Sequence, residues 1–156
     1  GQSRRARGVA HVPEDRQRMG LVTSFAEWEN AILGYQDSPE YGANGFLDIG
    51  AARQRAAEHV KLFDVRPANI NLKSSLFSGG NQQKIVLARE MERDPDVLVV
   101  GQPTRGVDIG EIRSLADRIL VMFDGQIVGE ADPATATEGE LGLMMAGIGN
   151  DTKAAQ

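Results

Sequence analysis

Ser78–Lys84 reads SGGNQQK. A serine, two glycines and further polar residues lead into the apolar run Ile85–Ala88, so a helix is predicted to begin here. Glycine is a poor helix former, worse than alanine by about 1 kcal/mol per residue, so a pair of them at a helix start calls for a reason. Ser78 supplies an ordinary N-cap, since its hydroxyl can accept a first-turn amide. The glycines add amides with no side chain beside them, at a helix end that carries roughly half a positive charge. Together these make a site for phosphate. On these seven residues alone, a capped helix after a loop and a phosphate site both remain open.

Working outward, the helix is expected to run to about Arg93, where Asp94-Pro95-Asp96 stops it. Val97–Val100 is wholly apolar, with three β-branched valines, and suits a strand buried on both faces as in a parallel sheet. Upstream, Gly8–Val12 reads as a short strand closed by Pro13 and the charged stretch Glu14–Arg18 (EDRQR). Ser24 and Glu27 have the spacing of a capping box. After them Phe25, Trp28, Ile32 and Tyr35 recur at helical spacing and read as a core face. Gln36–Gly50 is loop-like, rich in Gly, Pro, Asp and Asn. A second helix follows with Ala52, Ala56, Val60 and Phe63 on one face, and His59 on its flank reads as solvated. Ile119–Phe123, the turn Asp124-Gly125 and Gln126–Val128 read as a β-hairpin, because Asp-Gly accepts the left-handed turn conformation. The tail from Gly149 is expected to fray. Helices and strands alternate, so the fold class is α/β.

The bulk composition narrows the function. The 156 residues suffice for one ordinary domain, and 41% hydrophobic with 25% charged residues is the composition of a soluble globular protein. A net charge of -5, with no basic run beyond Arg4–Arg7, argues against nucleic acid as the main partner. There is no cysteine, which excludes disulfides and thiolate metal sites and fits a reducing compartment. A membrane helix needs about 20 apolar residues, and the longest apolar runs here, such as Ile119–Phe123, are far shorter. No secretory signal is visible at the N-terminus.

The ordered set HVPEDR (His11–Arg16), FSGGNQQK (Phe77–Lys84), VLVV and PTRGVD (Pro103–Asp108) resembles the nucleotide-binding domain of ATP-binding-cassette (ABC) transporters. The resemblance is to the second, C-terminal cassette of tandem ATPase subunits in simple-sugar and nucleoside importers, and it covers nearly all of the chain from Arg4 to Ile148. It implies a P-loop NTPase-like α/β domain over 1–148 with a parallel core sheet, a helical subdomain over about 20–93, a C-terminal β-hairpin, and a tail at 149–156. Two such cassettes pack head to tail with ATP and Mg2+ between them. By resemblance Ser78, Gly79 and Gly80 are the signature that caps the γ-phosphate held by the partner cassette, with Gln82 beside it on the exposed side. Glu14 occupies the loop that usually carries a glutamine touching Mg2+ and the membrane subunit. Asp108 matches the aspartate of the loop that crosses to the opposite site. The implied partners are ATP, a second cassette and transmembrane permease subunits, which the surface near Glu14–Trp28 would receive. The implied location is the cytoplasmic face of the membrane, peripherally.

Several departures bear on catalysis. The buried strand of this family normally ends in Asp-Glu, one residue holding Mg2+ and the other polarising the attacking water. The matching positions here are Gly101 and Gln102. Glycine offers no metal ligand, and a glutamine amide can orient water but cannot take its proton; losing a general base costs about 10²- to 10⁴-fold in rate. The domain's own Walker B site is therefore read as degenerate. No G-x-x-x-x-G-K-[ST] loop occurs in the chain, and only Gly1-Gln2-Ser3 could belong to one. The family also places a helix, a core strand and a phosphate-contacting histidine between PTRGVD and DRILVMFDG, yet Gly110 is followed directly by Glu111. His11, on an upstream strand, cannot replace that histidine. A sheet without an inner strand would leave a slot about 4.8 Å wide, so the chain is expected to be discontinuous at Gly110–Glu111, with a second break at Ser3–Arg4 also in view. The alternative to the transport reading is a structural interaction module without nucleotide turnover.

Overall fold

The computed structural model describes residues 2–43, 45–101 and 116–148. The chain divides into two compact units, Gly1–Gly106 and Val107–Gln156. Among the described residues the first is built on a parallel pair of strands and four α-helices, the second on a hairpin and one helix.

In the first unit, helix α1 (Gln2–Arg5) leads into strand β1 (Val9–Val12) and runs through Ser3–Arg4 without a break. β1 pairs in parallel with β4 (Val97–Val100), Val9 opposite Val97 through Val12 opposite Val100. The ladder extends to Val97 N donating to Gly8 O at 3.1 Å and Gly101 N donating to Val12 O at 2.9 Å. The parallel strand was legible; its burial on both faces was not. Val97 and Val99 stand about half exposed, because successive side chains of a strand face opposite ways and one face of β4 is uncovered among the described residues.

Between these strands lie α2 (Glu27–Ala31), two short strands β2 (Gly42–Ala43) and β3 (Phe46–Leu47), α3 (Ile49–Leu62) and α4 (Gly79–Met91). The α3 stripe of Ala52, Ala56 and Val60, continued by Phe63, is buried as its spacing requires. α4 is the central helix: Gln82, Gln83 and every residue from Ile85 to Met91 are buried. A helix covered on all sides would ordinarily be apolar throughout, yet this one buries Gln82, Gln83, Arg89 and Glu90. Most of their polar groups are met, by each other and from outside the helix, while Gln83 Oε1 has no hydrogen-bond partner. Arg89 Nε lies 2.9 Å from Glu90 Oε1, and Arg89 Nη1 donates to Gly20 O at 2.9 Å and to Asn30 O at 3.1 Å. Tyr35 Oη donates to Glu90 Oε2 at 2.8 Å, and its ring lies 4.6 Å from each of the Arg5 and Arg93 guanidiniums.

Three expectations are corrected here. α2 is capped at Ala26, not Ser24: Glu29 Oε2 accepts from Ala26 N at 2.7 Å, and Glu27 lies inside the helix, fully buried. Of the aromatic series, Ile32 is buried and Trp28 and Tyr35 pack beside it, while Phe25 precedes the helix and is exposed. His59 is not solvated. It is 3% exposed, with Nε2 2.9 Å from Glu92 Oε2, and burial pushes its pKa below the usual value.

In the second unit, β5 (Ile119–Phe123) and β6 (Gln126–Ala131) form the expected antiparallel hairpin. Asp124 and Gly125 both take positive φ, 48° and 75°, the turn whose twist matches the strands. Helix α5 (Glu138–Met145) packs on it through Val121, Ala136 and Leu141. Its start was written in the sequence as a capping box: Thr137 Oγ1 accepts from Glu140 N, and Glu140 Oε2 accepts from Thr137 N. The tail 149–156 and the junction Gly110–Glu111 lie outside the described residues.

Candidate functional site

The site grows from the N-terminus of α4. Ser78 is its cap: Oγ accepts from Asn81 N at 3.4 Å and from Asn81 Nδ2 at 2.9 Å. Asn81 Oδ1 in turn accepts from Arg66 N at 2.6 Å, tying the cap to the incoming chain. The helical ladder opens with Gln82 N donating to Ser78 O at 2.9 Å, so the amides of Gly79 and Gly80 lie ahead of it, in the turn that has no intrahelical acceptors.

The two glycines differ in their surroundings. A Cβ on Gly80 would meet no atom within 4 Å. A Cβ on Gly79 would collide with the Arg16 guanidinium, whose Nε is buried with no hydrogen-bond partner. The space beside Gly79 is thus taken by a cation of this chain, whereas the space beside Gly80 is open.

Gln82 is not on the exposed side. It is 2% exposed and both ends of its amide are engaged: Nε2 donates to Ser74 O at 2.9 Å and Oε1 accepts from Gln17 Nε2 at 3.0 Å. The family resemblance implied the exposed side; the partner at the outer end of the amide, Gln17, lies far away in sequence.

Glu14 is exposed and follows β1. Its backbone packs on the end of β4, where a Cβ on Gly101 would lie 2.9 Å from Glu14 N and 3.3 Å from Glu14 Cβ. Strand pairing thus brings Glu14 and Gly101 together, and Arg16, two residues on, reaches Gly79. The short segment Glu14–Arg16 touches both the start of α4 and the end of β4. Gln102 and Asp108 lie outside the described residues. Among the described residues no group of three or more His, Cys, Asp or Glu is gathered as for a metal ion, and Gly101 offers no side chain.

The chain is 41% identical over 166 aligned residues to the nucleoside import ATP-binding protein NupA of Lactococcus lactis, which covers 89% of this chain and 33% of that protein. The chain is a homologue of import ATP-binding proteins. It is likewise 36% identical to the guanosine import ATP-binding protein NupO of Bacillus subtilis, over 90% of this chain and 33% of that one. The ribose import ATP-binding protein RbsA of Rhodococcus jostii is 35% identical, over 94% of this chain and 34% of its own length. The chain thus spans about a third of the curated relatives it matches. No protein-family model matches it. Among solved structures, the ATP-binding cassette MJ0796, a dimer in a post-hydrolysis state bound to ADP and Pi, superposes with a TM-score of 0.55 at 20% identity, covering 80% of this chain and 62% of that one. The fold is therefore that of an ABC ATPase, α/β with a parallel sheet. The 166 aligned residues exceed the 156 of this chain, so NupA carries residues within the aligned span that have no counterpart here. Among the described residues no helix is long and apolar enough to cross a membrane.

Proposed function

We propose that this chain, over 1–148, is the second, C-terminal nucleotide-binding domain of an ABC importer's ATPase subunit, coupling ATP binding and hydrolysis to uptake of a nucleoside or simple sugar. Ser78, Gly79 and Gly80 form the signature that closes a composite ATP site whose phosphate loop and Mg2+ belong to a second cassette, packed head to tail. Permease subunits dock near Glu14–Trp28, and the domain works at the cytoplasmic face of the membrane, peripherally. Gln82 serves the site from behind by holding α4, while Asp108 contributes to the contact between cassettes.

The observation that carries this reading is Gly80: an amide in the unladdered first turn of a 13-residue helix, with no atom within 4 Å of where a Cβ would stand. Gly101 supports a degenerate Walker B, because the strand end that would hold a carboxylate is filled by the chain's own backbone. The same observation favours, as a second reading, a structural module without turnover.

The test compares two substitutions in the intact import ATPase. Gly80→Asp puts a negative side chain where the γ-phosphate docks, and like charges at close range repel strongly; transport-coupled hydrolysis is expected to fall below detection. Gln102→Ala, at a site already lacking its base, is expected to leave the rate within about twofold. The present chain alone is expected to show no turnover approaching the usual enzyme range of about 1 s⁻¹. Equal damage from the two substitutions would break the assignment of roles between the composite sites.

A further inference from the structure

The turn Arg16–Gly20, closed by Leu21 N donating to Arg16 O at 2.8 Å, lies along one stripe of α4. Arg16 packs on Gly79, Gln17 bonds Gln82, and Gly20 sits against Val86 while its carbonyl accepts from Arg89. Positions 79, 82, 86 and 89 are spaced by three and four, which places them on a single helix face. An exposed turn is thereby docked on the helix whose first residues are the candidate signature.

Gln82 fixes the chemistry of this seam. Ser74 O is a carbonyl and can only accept, so Gln82 must turn its NH2 toward it, 2.9 Å away. Its Oε1 then faces Gln17 and requires a donor there. Ser74 is itself fully buried and held: its Oγ accepts from Asn30 Nδ2 at 2.8 Å and its N–H donates to Phe25 O at 2.8 Å. The orientation of Gln82 is thus imposed from the buried side, and Gln17, exposed at the surface, completes it. A buried acceptor left without its donor is costly.

We propose that Gln17 is a positioning residue: as a hydrogen-bond donor it holds Gln82, and through Gln82 the first turn of α4 that presents Ser78–Gly80. This rests on the reading that Ser78–Gly80 receive nucleotide phosphate. What position 17 must supply is a donor, not a shape. Gln17→Glu is nearly isosteric but sets a carboxylate against Gln82 Oε1, acceptor against acceptor. Gln17→Lys changes the shape and keeps a donor.

The experiment places these two variants and Gly80→Asp in the intact import ATPase. Gln17→Glu is expected to raise the KM for ATP about three- to tenfold, the range set by one hydrogen bond, with kcat within about twofold, and Gln17→Lys is expected to keep the wild-type KM for ATP. If Gly80→Asp abolishes hydrolysis while Gln17→Glu matches wild type, or Gln17→Lys is as damaging as Gln17→Glu, the proposal falls. If Gly80→Asp leaves hydrolysis intact, the nucleotide reading itself fails. Backbone amide exchange at Gln82 and Gln83 of the same variants then decides the positioning role: faster exchange in Gln17→Glu but not in Gln17→Lys supports it, and unchanged exchange in both overturns it.

Discussion

Two glycines end up at opposite kinds of place. Gly80, near the start of α4, faces open space, whereas Gly101, at the end of β4, is pressed against the backbone of Glu14. At Gly101 the missing Cβ makes room for the chain itself, whereas at Gly80 no atom of the chain claims that room. A bare backbone is thus not by itself evidence of a ligand site; what decides is which atoms occupy the space a side chain would need. Gly79 makes the same point within two adjacent residues, since its space is taken by Arg16.

The contrast is open to attack through stability, and the largest effect expected there sets the pH at which the two glycines should be compared. Glu27 is fully buried, neither carboxylate oxygen has a hydrogen-bond partner, and burial raises its pKa from 4.5 to about 8. The folded chain therefore keeps this proton between about pH 4.5 and 8 while the unfolded chain releases it. Stability contributed by the protonated carboxyl is present in full below the unfolded value and is lost as pH rises, at about 1.4 kcal/mol per unit. Denaturant unfolding is expected to show a loss of several kcal/mol across that window. Glu27→Gln, which cannot titrate, should flatten this part of the profile. Profiles of wild type and variant that run parallel would remove Glu27 as the cause. Glycine variants are best compared at a pH well above the folded value of about 8, where this contribution has been lost and no longer varies.

Next in size is the same substitution made at both glycines. Gly101→Asp forces atoms into a filled space and is expected to cost about 1–3 kcal/mol, as overpacking does, and to restore no hydrolysis. Gly80→Asp adds a Cβ that meets no atom within 4 Å and should leave the unfolding midpoint nearly unchanged while removing function. Equal losses of stability at the two positions would erase the distinction between them.

How much of this could be seen in the sequence follows from the range of the interactions. The cap at Ser78, the Asp124-Gly125 turn and the α3 stripe of Ala52, Ala56 and Val60 depend on neighbours within one or two turns, and each stands in the structure as its spacing implied. His59 was misread from its place on the helix flank and Gln82 from the family resemblance, while their partners, Glu92 and Gln17, lie 33 and 65 residues away. The cap of α2 slipped by two residues because Ser24 and Glu27 have the right spacing, and only the tertiary burial of Glu27 denies them that role. At the candidate site the glycines were visible and their environments were not. The space beside Gly79 is taken by Arg16 and that beside Gly101 by Glu14, both reaching in from another part of the chain.

The central claim is that the first-turn amides of α4 receive a nucleotide phosphate and the end of β4 does not. Amide hydrogen exchange on the intact import ATPase, with and without a trapped nonhydrolysable ATP analogue, tests it directly. Exchange at Gly79–Asn81 is expected to slow about tenfold or more when the nucleotide is bound, as for amides that gain a strong charge-assisted hydrogen bond. Exchange at Gly101, whose amide already donates to Val12 O, should not change. Unchanged exchange at Gly79–Asn81 under saturating nucleotide would contradict the account.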